Sequence, residues 1–185
     1  MQKKDRRQIV GPAVLLCDPR FPHNVGKALR NCSCFGVRQL WVTGDRVPFD
    51  AEGYESYRLP REERMKGFKD VDLIHADRTN VFDRAEPKIV PVAVEFAPNA
   101  EVLTTFCHPE NALYVFGPED GSLGHVERSF CHRFVIIPTN HCLNLGVAVG
   151  IVLAHRAMQR QLAGLDPIPS PMDCMTRDGR TTSDS

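Results

Sequence analysis

Pro12-Ala13-Val14-Leu15-Leu16-Cys17, halted by Asp18-Pro19, is the stretch that decides the fold. A short, continuous apolar run ended by turn residues reads as a strand buried on both faces. Directly after it the period changes. From Asn24 to Phe35, the residues Val25, Ala28, Leu29, Cys32 and Phe35 recur at helical spacing. Lys27, Arg30, Asn31 and Cys34 fall on another stripe of the same helix. Gly36 supplies its C-cap. Arg38 to Thr43, with Trp41 and Val42, then reads as a second strand.

The same alternation continues outward. Val71 to Ala76, Lys88 to Phe96, Ala112 to Phe116 and Phe134 to Ile137 are expected strands. Asn99 to Phe106, His125 to Cys131 and Leu143 to Leu162 are expected helices. The last is apolar nearly all round through Ala154, so its first half is expected to be buried. Strands alternating with helices give an α/β domain around a mainly parallel sheet flanked by helices. Residues 44–70 are polar and charged, with Arg58, Arg61, Arg64, Lys66 and Lys69 among acidic residues; they read as a solvated loop with a short helix, or else as an RNA-contacting surface. The domain is expected to span 1–165. Residues 166–185 are rich in Pro, Ser, Thr, Asp and Arg and read as a disordered tail.

The 185 residues carry 23 Lys+Arg against 23 Asp+Glu, so any affinity for nucleic acid must come from the arrangement of charge, not its sum. No apolar run reaches membrane-spanning length, and the basic start (Lys3, Lys4, Arg6, Arg7) lacks the apolar core of a leader. A cytoplasmic protein is the expectation. The seven cysteines are odd in number and scattered; Cys32-Ser33-Cys34 has no matching second half, so free thiols are expected and no metal.

Three segments at the carboxyl ends of expected strands, where open α/β sheets bind ligands, carry candidate chemistry. The first is Phe21-Pro22-His23-Asn24-Val25-Gly26-Lys27-Ala28-Leu29-Arg30-Asn31. It reads as an ordinary helix start with turn and cap residues, or as an anion site where Lys27, Arg30 and Asn31 share a face. The second, Phe116-Gly117-Pro118-Glu119-Asp120-Gly121-Ser122-Leu123-Gly124, is neither a P-loop nor a dinucleotide-binding glycine motif. It is a glycine-rich turn that lets a ligand approach the backbone, or a plain acidic turn. The third runs from Ile136 to Ala148 through Pro138, His141, Cys142 and Asn144, a strand leading into a helix with Asn144 in its first turn.

Together these segments resemble the three signature motifs of the SPOUT methyltransferases of SpoU/TrmH type, which methylate RNA on the ribose 2′-hydroxyl. Asn24, Gly26 and Arg30 match the first motif; Gly117, Glu119 and Leu123 match the second; Ile137, Pro138, Leu143, Asn144 and Ala148 match the third. The resemblance covers about residues 11–163. Gly121, Ser122, Cys142 and Gly146 depart from the family pattern.

The resemblance implies a C-terminal trefoil knot, a homodimer with sites at the interface, S-adenosylmethionine as methyl donor, and transfer RNA or ribosomal RNA as substrate. It places Arg30, Asn24, Asn144 and Glu119 in the catalytic machinery. Backbone groups near Val94, Gly117, Ile137, Cys142 and Leu143 would hold the donor. Arg30 is read as a cation stabilising the developing alkoxide, because a guanidinium resists deprotonation. Two other classes are weighed beside this one. One is an RNA-binding protein of the same fold with weak catalysis; the other is a thiol enzyme using Cys142 beside His141, for which no orienting acid is evident.

Overall fold

A computed structural model describes residues 7–47 and 70–176. Seven parallel strands form one sheet in the order β3-β2-β1-β6-β4-β7-β5. They are β1 (Ala13–Cys17), β2 (Gln39–Thr43), β3 (Asp72–Ala76), β4 (Val90–Val94), β5 (Glu101–Val102), β6 (Ala112–Phe116) and β7 (Arg133–Ile136). The helices are α1 (Pro22–Cys34), α2 (His125–Phe130), α3 (Leu145–Leu162) and α4 (Pro171–Thr176). The α/β class with a mainly parallel sheet is as expected. The charged stretch containing Arg58, Arg61, Arg64, Lys66 and Lys69 lies outside the described residues, as do 177–185.

The continuous apolar strands arise because both faces of the sheet are covered. Val14 and Leu16 of β1, Leu40 and Val42 of β2, and Tyr114 and Phe116 of β6 point to one core, which α1 and α3 close with Val25, Leu29, Val149 and Leu153. Leu15, Trp41, Leu113 and Val115 point to the other, closed by Ile9, Phe82, Leu123 and Cys131. Each such fully buried aliphatic side chain contributes about 1.5–3 kcal/mol before chain entropy is counted. The free thiols Cys17, Cys32 and Cys131 serve as small core residues, and burial pushes the Cys131 thiol up to about 12.

Helix α1 begins with Phe21 at the N-cap and Pro22 in its first turn, where a missing N–H costs nothing. It ends where Gly36 turns left-handed at φ +70° and Val37 N–H returns to Cys32 O at 2.9 Å. Helix α3 packs along α1 so closely that a Cβ on Gly146 would lie 2.5 Å from Lys27 Cβ. That contact is a physical reason for glycine at this position. The C-terminal half of α3 is fastened to the segment before β6. Gln159 receives His108 N–H and donates to Phe106 O, both at 3.0 Å. His155 Nδ1 lies 2.8 Å from His108 Nε2, and His108 Nδ1 lies 2.6 Å from the Tyr114 hydroxyl. Burial, with neighbouring His155, pushes His108 down to about 3, so this chain is held by neutral imidazole.

Three expectations are corrected. Asn99 to Phe106 is not a helix: Glu101 and Val102 add an edge strand beside β7, and Leu103–Thr105 is a 3-10 turn. Arg133 accounts for this, gripping the Glu101 carboxylate and Cys107 O at 2.7 Å, a long-range tie that overrides local period. Asn144 precedes α3 as its N-cap instead of lying in its first turn. The first half of α3 is buried on one side only, since Val147 remains 46% exposed. Within the expected tail, Ser170 and Asp173 cap α4 reciprocally. Among the described residues no helix is long and apolar enough to cross a membrane.

Candidate functional site

Strands β1, β6, β4 and β7 are neighbours, and their carboxyl ends deliver all three singled-out segments to one edge of the sheet. A cavity of about 780 Å³, counting its part open to solvent, lies across the ends of β6, β4 and β7. Its walls include Val94, Gly117, Ile137, Cys142 and Leu143, so the structure brings together every residue expected at the donor site. Leu145 and Ala148 from the start of α3 complete an apolar side, and Glu119 lies at the wall. The mixed polar and apolar lining is that of a small-molecule site.

Glu119 organises the edge nearest β1. Its carboxylate accepts Arg20 N–H at 2.7 Å, Phe21 N–H at 3.4 Å and the Asn24 side-chain amide at 2.6 Å. Asn24, only 1% exposed, in turn accepts from Asn144 Nδ2 at 2.8 Å. Asn144 Oδ1 accepts Gly146 N–H at 3.1 Å and Val147 N–H at 3.4 Å. One chain of bonds therefore ties the second segment to the first and the first to the third. Partial burial opposes ionisation of Glu119, but the bonds from Arg20 and Asn24 prevail and hold its pKa below the ordinary glutamate value. Asn24 is thus committed at both ends of its amide, neither capping α1 nor presenting its side chain to solvent.

A second tie runs outside this one. Arg46, just beyond β2, donates to Asp120 at 2.9 and 3.0 Å and to Asp18 O at 3.1 Å. Arg20 reaches the same Asp120 at 3.4 Å. These exposed ion pairs contribute little energy individually but fix the loop after β6 against the loop after β1.

Arg30 stands apart. It is exposed and lines a shallow groove between α1 and α3 with Lys27, Asn31, Phe35, Val147 and Gly150, not the cavity. Asn31 donates to Gly146 O at 2.7 Å, holding the groove's floor. The sequence reading passed over Glu95 and Phe96, both at the cavity wall. Glu95 accepts Leu123 N–H at 2.9 Å and so braces the loop after β6. The signal was present in the polar-aromatic pair that ends the β4 run. Among the described residues no three His, Cys, Asp or Glu side chains gather as a metal site.

Comparison with known proteins supplies the frame for this geometry. The profile of the SpoU rRNA Methylase family matches residues 11–154. The tRNA (cytidine-2′-O-)-methyltransferase TrmJ of Methanocaldococcus jannaschii is 27% identical over 158 residues, 78% of this chain and 66% of that protein. The SpoU methyltransferase AviRb of Streptomyces viridochromogenes, solved in complex with AdoMet, superposes with TM-score 0.67 at 22% identity, covering 86% of this chain and 65% of that one. A structure described as giving insight into 2-OH methylation of C/U34 on tRNA has TM-score 0.64 at 26% identity, covering 82% of this chain and 96% of that one. The chain thus spans just under two thirds of the length of the first two.

Proposed function

Because the chain belongs to the SpoU rRNA Methylase family, we propose that it is an RNA methyltransferase that transfers a methyl group from S-adenosylmethionine to a ribose 2′-hydroxyl. The observation that carries the reading is the joining of the three motifs by the Glu119–Asn24–Asn144 bonds beside the cavity. Transfer RNA is the favoured substrate class, supported by the TrmJ relative and by the structure concerned with C/U34 of tRNA.

The cavity fits the donor. Its apolar walls at Val94, Ile137 and Leu145 suit a flat heterocycle, and the backbone of three strand-exit loops suits the polar sugar and amino-acid parts. S-adenosylmethionine, when bound, would supply a methyl already activated on a sulfonium for transfer to the ribose oxygen, the C–S bond breaking to leave S-adenosylhomocysteine. The chain's task is then positioning. Glu95 and Glu119 hold the loop after β6; Asn144 holds the first turn of α3; Asn24 couples the two. These are positioning residues. Arg30 is the catalytic residue, its guanidinium stabilising the charge that develops on the oxygen as the hydroxyl proton passes to solvent water.

Arg30 lies outside the cavity of its own chain, so the reading includes a homodimer. Val147, Ile151, Ala154, Met158 and Leu162 form one stripe along α3, with Met158 61% and Leu162 86% exposed. A stripe of this length beside the Arg30 groove suits a second copy, whose pairing would complete each site. Sedimentation at micromolar concentration is expected to show twice the 20.8 kDa chain mass; a monomer alone would remove the shared site. For the cavity, S-adenosylhomocysteine is expected to raise the melting temperature through linkage while ATP and NAD leave it unchanged. An equal response to all three, or none to any, would favour an RNA-binding protein without methyl transfer.

A further inference from the structure

We infer that Phe21 and His23, next to the Glu119 wall of the cavity, form a platform on which one unstacked base of the RNA substrate lies. The rings are stacked, with centroids 5.4 Å apart and planes 22° from parallel. The Arg20 guanidinium stands 5.1 Å from the Phe21 ring centre. Phe21 is 40% exposed, and His23 and Arg20 are exposed beside it. An aromatic pair and a cation in the open is the arrangement that takes a nucleobase by its face and a phosphate by its charge.

A purely structural purpose for Phe21 finds no support. It occupies the N-cap of α1, a place for Ser, Thr, Asp or Asn, and makes no capping bond with its side chain. Its ring belongs to neither core. Its backbone, however, is held firmly: Glu119 accepts both Arg20 and Phe21 N–H, and Phe21 O accepts Asn24 N–H at 3.0 Å. The backbone that carries the Phe21 ring is therefore fixed, which limits the entropy lost when a base settles on it. Its position is decided by the same carboxylate. Glu119 lines the cavity and also accepts the Arg20 and Phe21 N–H groups, so a base resting on the stack would lie beside the donor site. The inference rests on the methyltransferase reading for that last step but not for the stacking itself.

The test is fluorescence anisotropy with a short unstructured RNA oligonucleotide and with the same sequence as a duplex, using the full chain. Phe21→Ala is expected to weaken single-strand binding on the order of tenfold, the effect of losing one aromatic–base stack. Phe21→Leu, which keeps apolar bulk without a π-face, should lose as much, and Phe21→Tyr should stay within about threefold of the wild type. Duplex binding, S-adenosylmethionine affinity and melting temperature should not move. Single-strand binding unchanged in both Phe21→Ala and Phe21→Leu overturns the platform, as does a wild type that binds no single-stranded RNA. A wild type that transfers no methyl group yet loses RNA on Phe21→Ala overturns the methyltransferase reading and leaves the platform standing.

Discussion

Arg30→Ala is expected to lower the single-turnover rate of ribose methylation on the order of a hundred- to a thousand-fold while leaving S-adenosylmethionine affinity nearly intact. The magnitude is that of removing one preorganised group facing developing charge. The separation of rate from affinity follows from geometry. Arg30 lines the groove between α1 and α3 and is absent from the cavity wall, so its loss leaves the donor's contacts unchanged. Arg30→Lys should recover only part of the rate, because a compact ammonium lacks the planar fork of donors. A merely structural Arg30 would behave differently: an exposed cation contributes at most about 1 kcal/mol to stability, and turnover would stay near normal. An Arg30→Ala protein retaining more than about a third of the wild-type rate would remove the catalytic assignment.

The second large effect concerns Asn24. Asn24→Asp changes one nitrogen to oxygen without altering shape, yet it sets a second carboxylate against Glu119, where a 2.6 Å hydrogen bond now stands. Two carboxylates at that distance cannot both ionise in a site only 1% exposed at Asn24, so the pair must share a proton. One folded-state pKa is then raised above its unfolded value of about 4. A raised pKa contributes stability that is present below the unfolded value and lost as pH rises through the folded one. The variant should therefore fall short of the wild type by about 3 kcal/mol at pH 8, or roughly 6–12 °C in melting temperature, and recover much of this at pH 4 to 5. Wild-type Glu119 runs the other way. Its depressed pKa contributes stability above the ordinary carboxylate range that is lost as pH falls. A melting difference that does not vary with pH would show that Asn24 and Glu119 are not coupled.

Where burial and period agree, the fold was legible. Ala13–Cys17 and Ala112–Phe116 are apolar at every position because helices and loops cover both faces, and their shortness and the Pro and Gly that follow mark them as buried strands. Helix α1 was legible from its stripe and from Gly36. The edge strand at Glu101 was not, because Val102 and Phe106 mimic a helical step and only Arg133, some thirty residues on, selects the extended form. Likewise no local pattern shows that Glu119 bonds to Asn24 across 95 positions, or that Asn144 caps α3 while reaching Asn24 across 120. The motifs singled out Asn24, Arg30, Glu119 and Asn144 as candidates. That Asn24 lies between Glu119 and Asn144 while Arg30 stands on the α1–α3 face is visible only in three dimensions.

The most direct measurement of the central claim is incubation of the protein with unmodified total RNA and methyl-labelled S-adenosylmethionine, followed by alkaline hydrolysis and nucleoside mapping. A methylated ribose lacks the free 2′-hydroxyl that alkaline cleavage requires. The expected result is label in alkali-resistant dinucleotides, yielding 2′-O-methylated nucleosides on full digestion. Label confined to methylated bases in alkali-labile mononucleotides, or no label in any RNA from a protein that binds the donor, would contradict it.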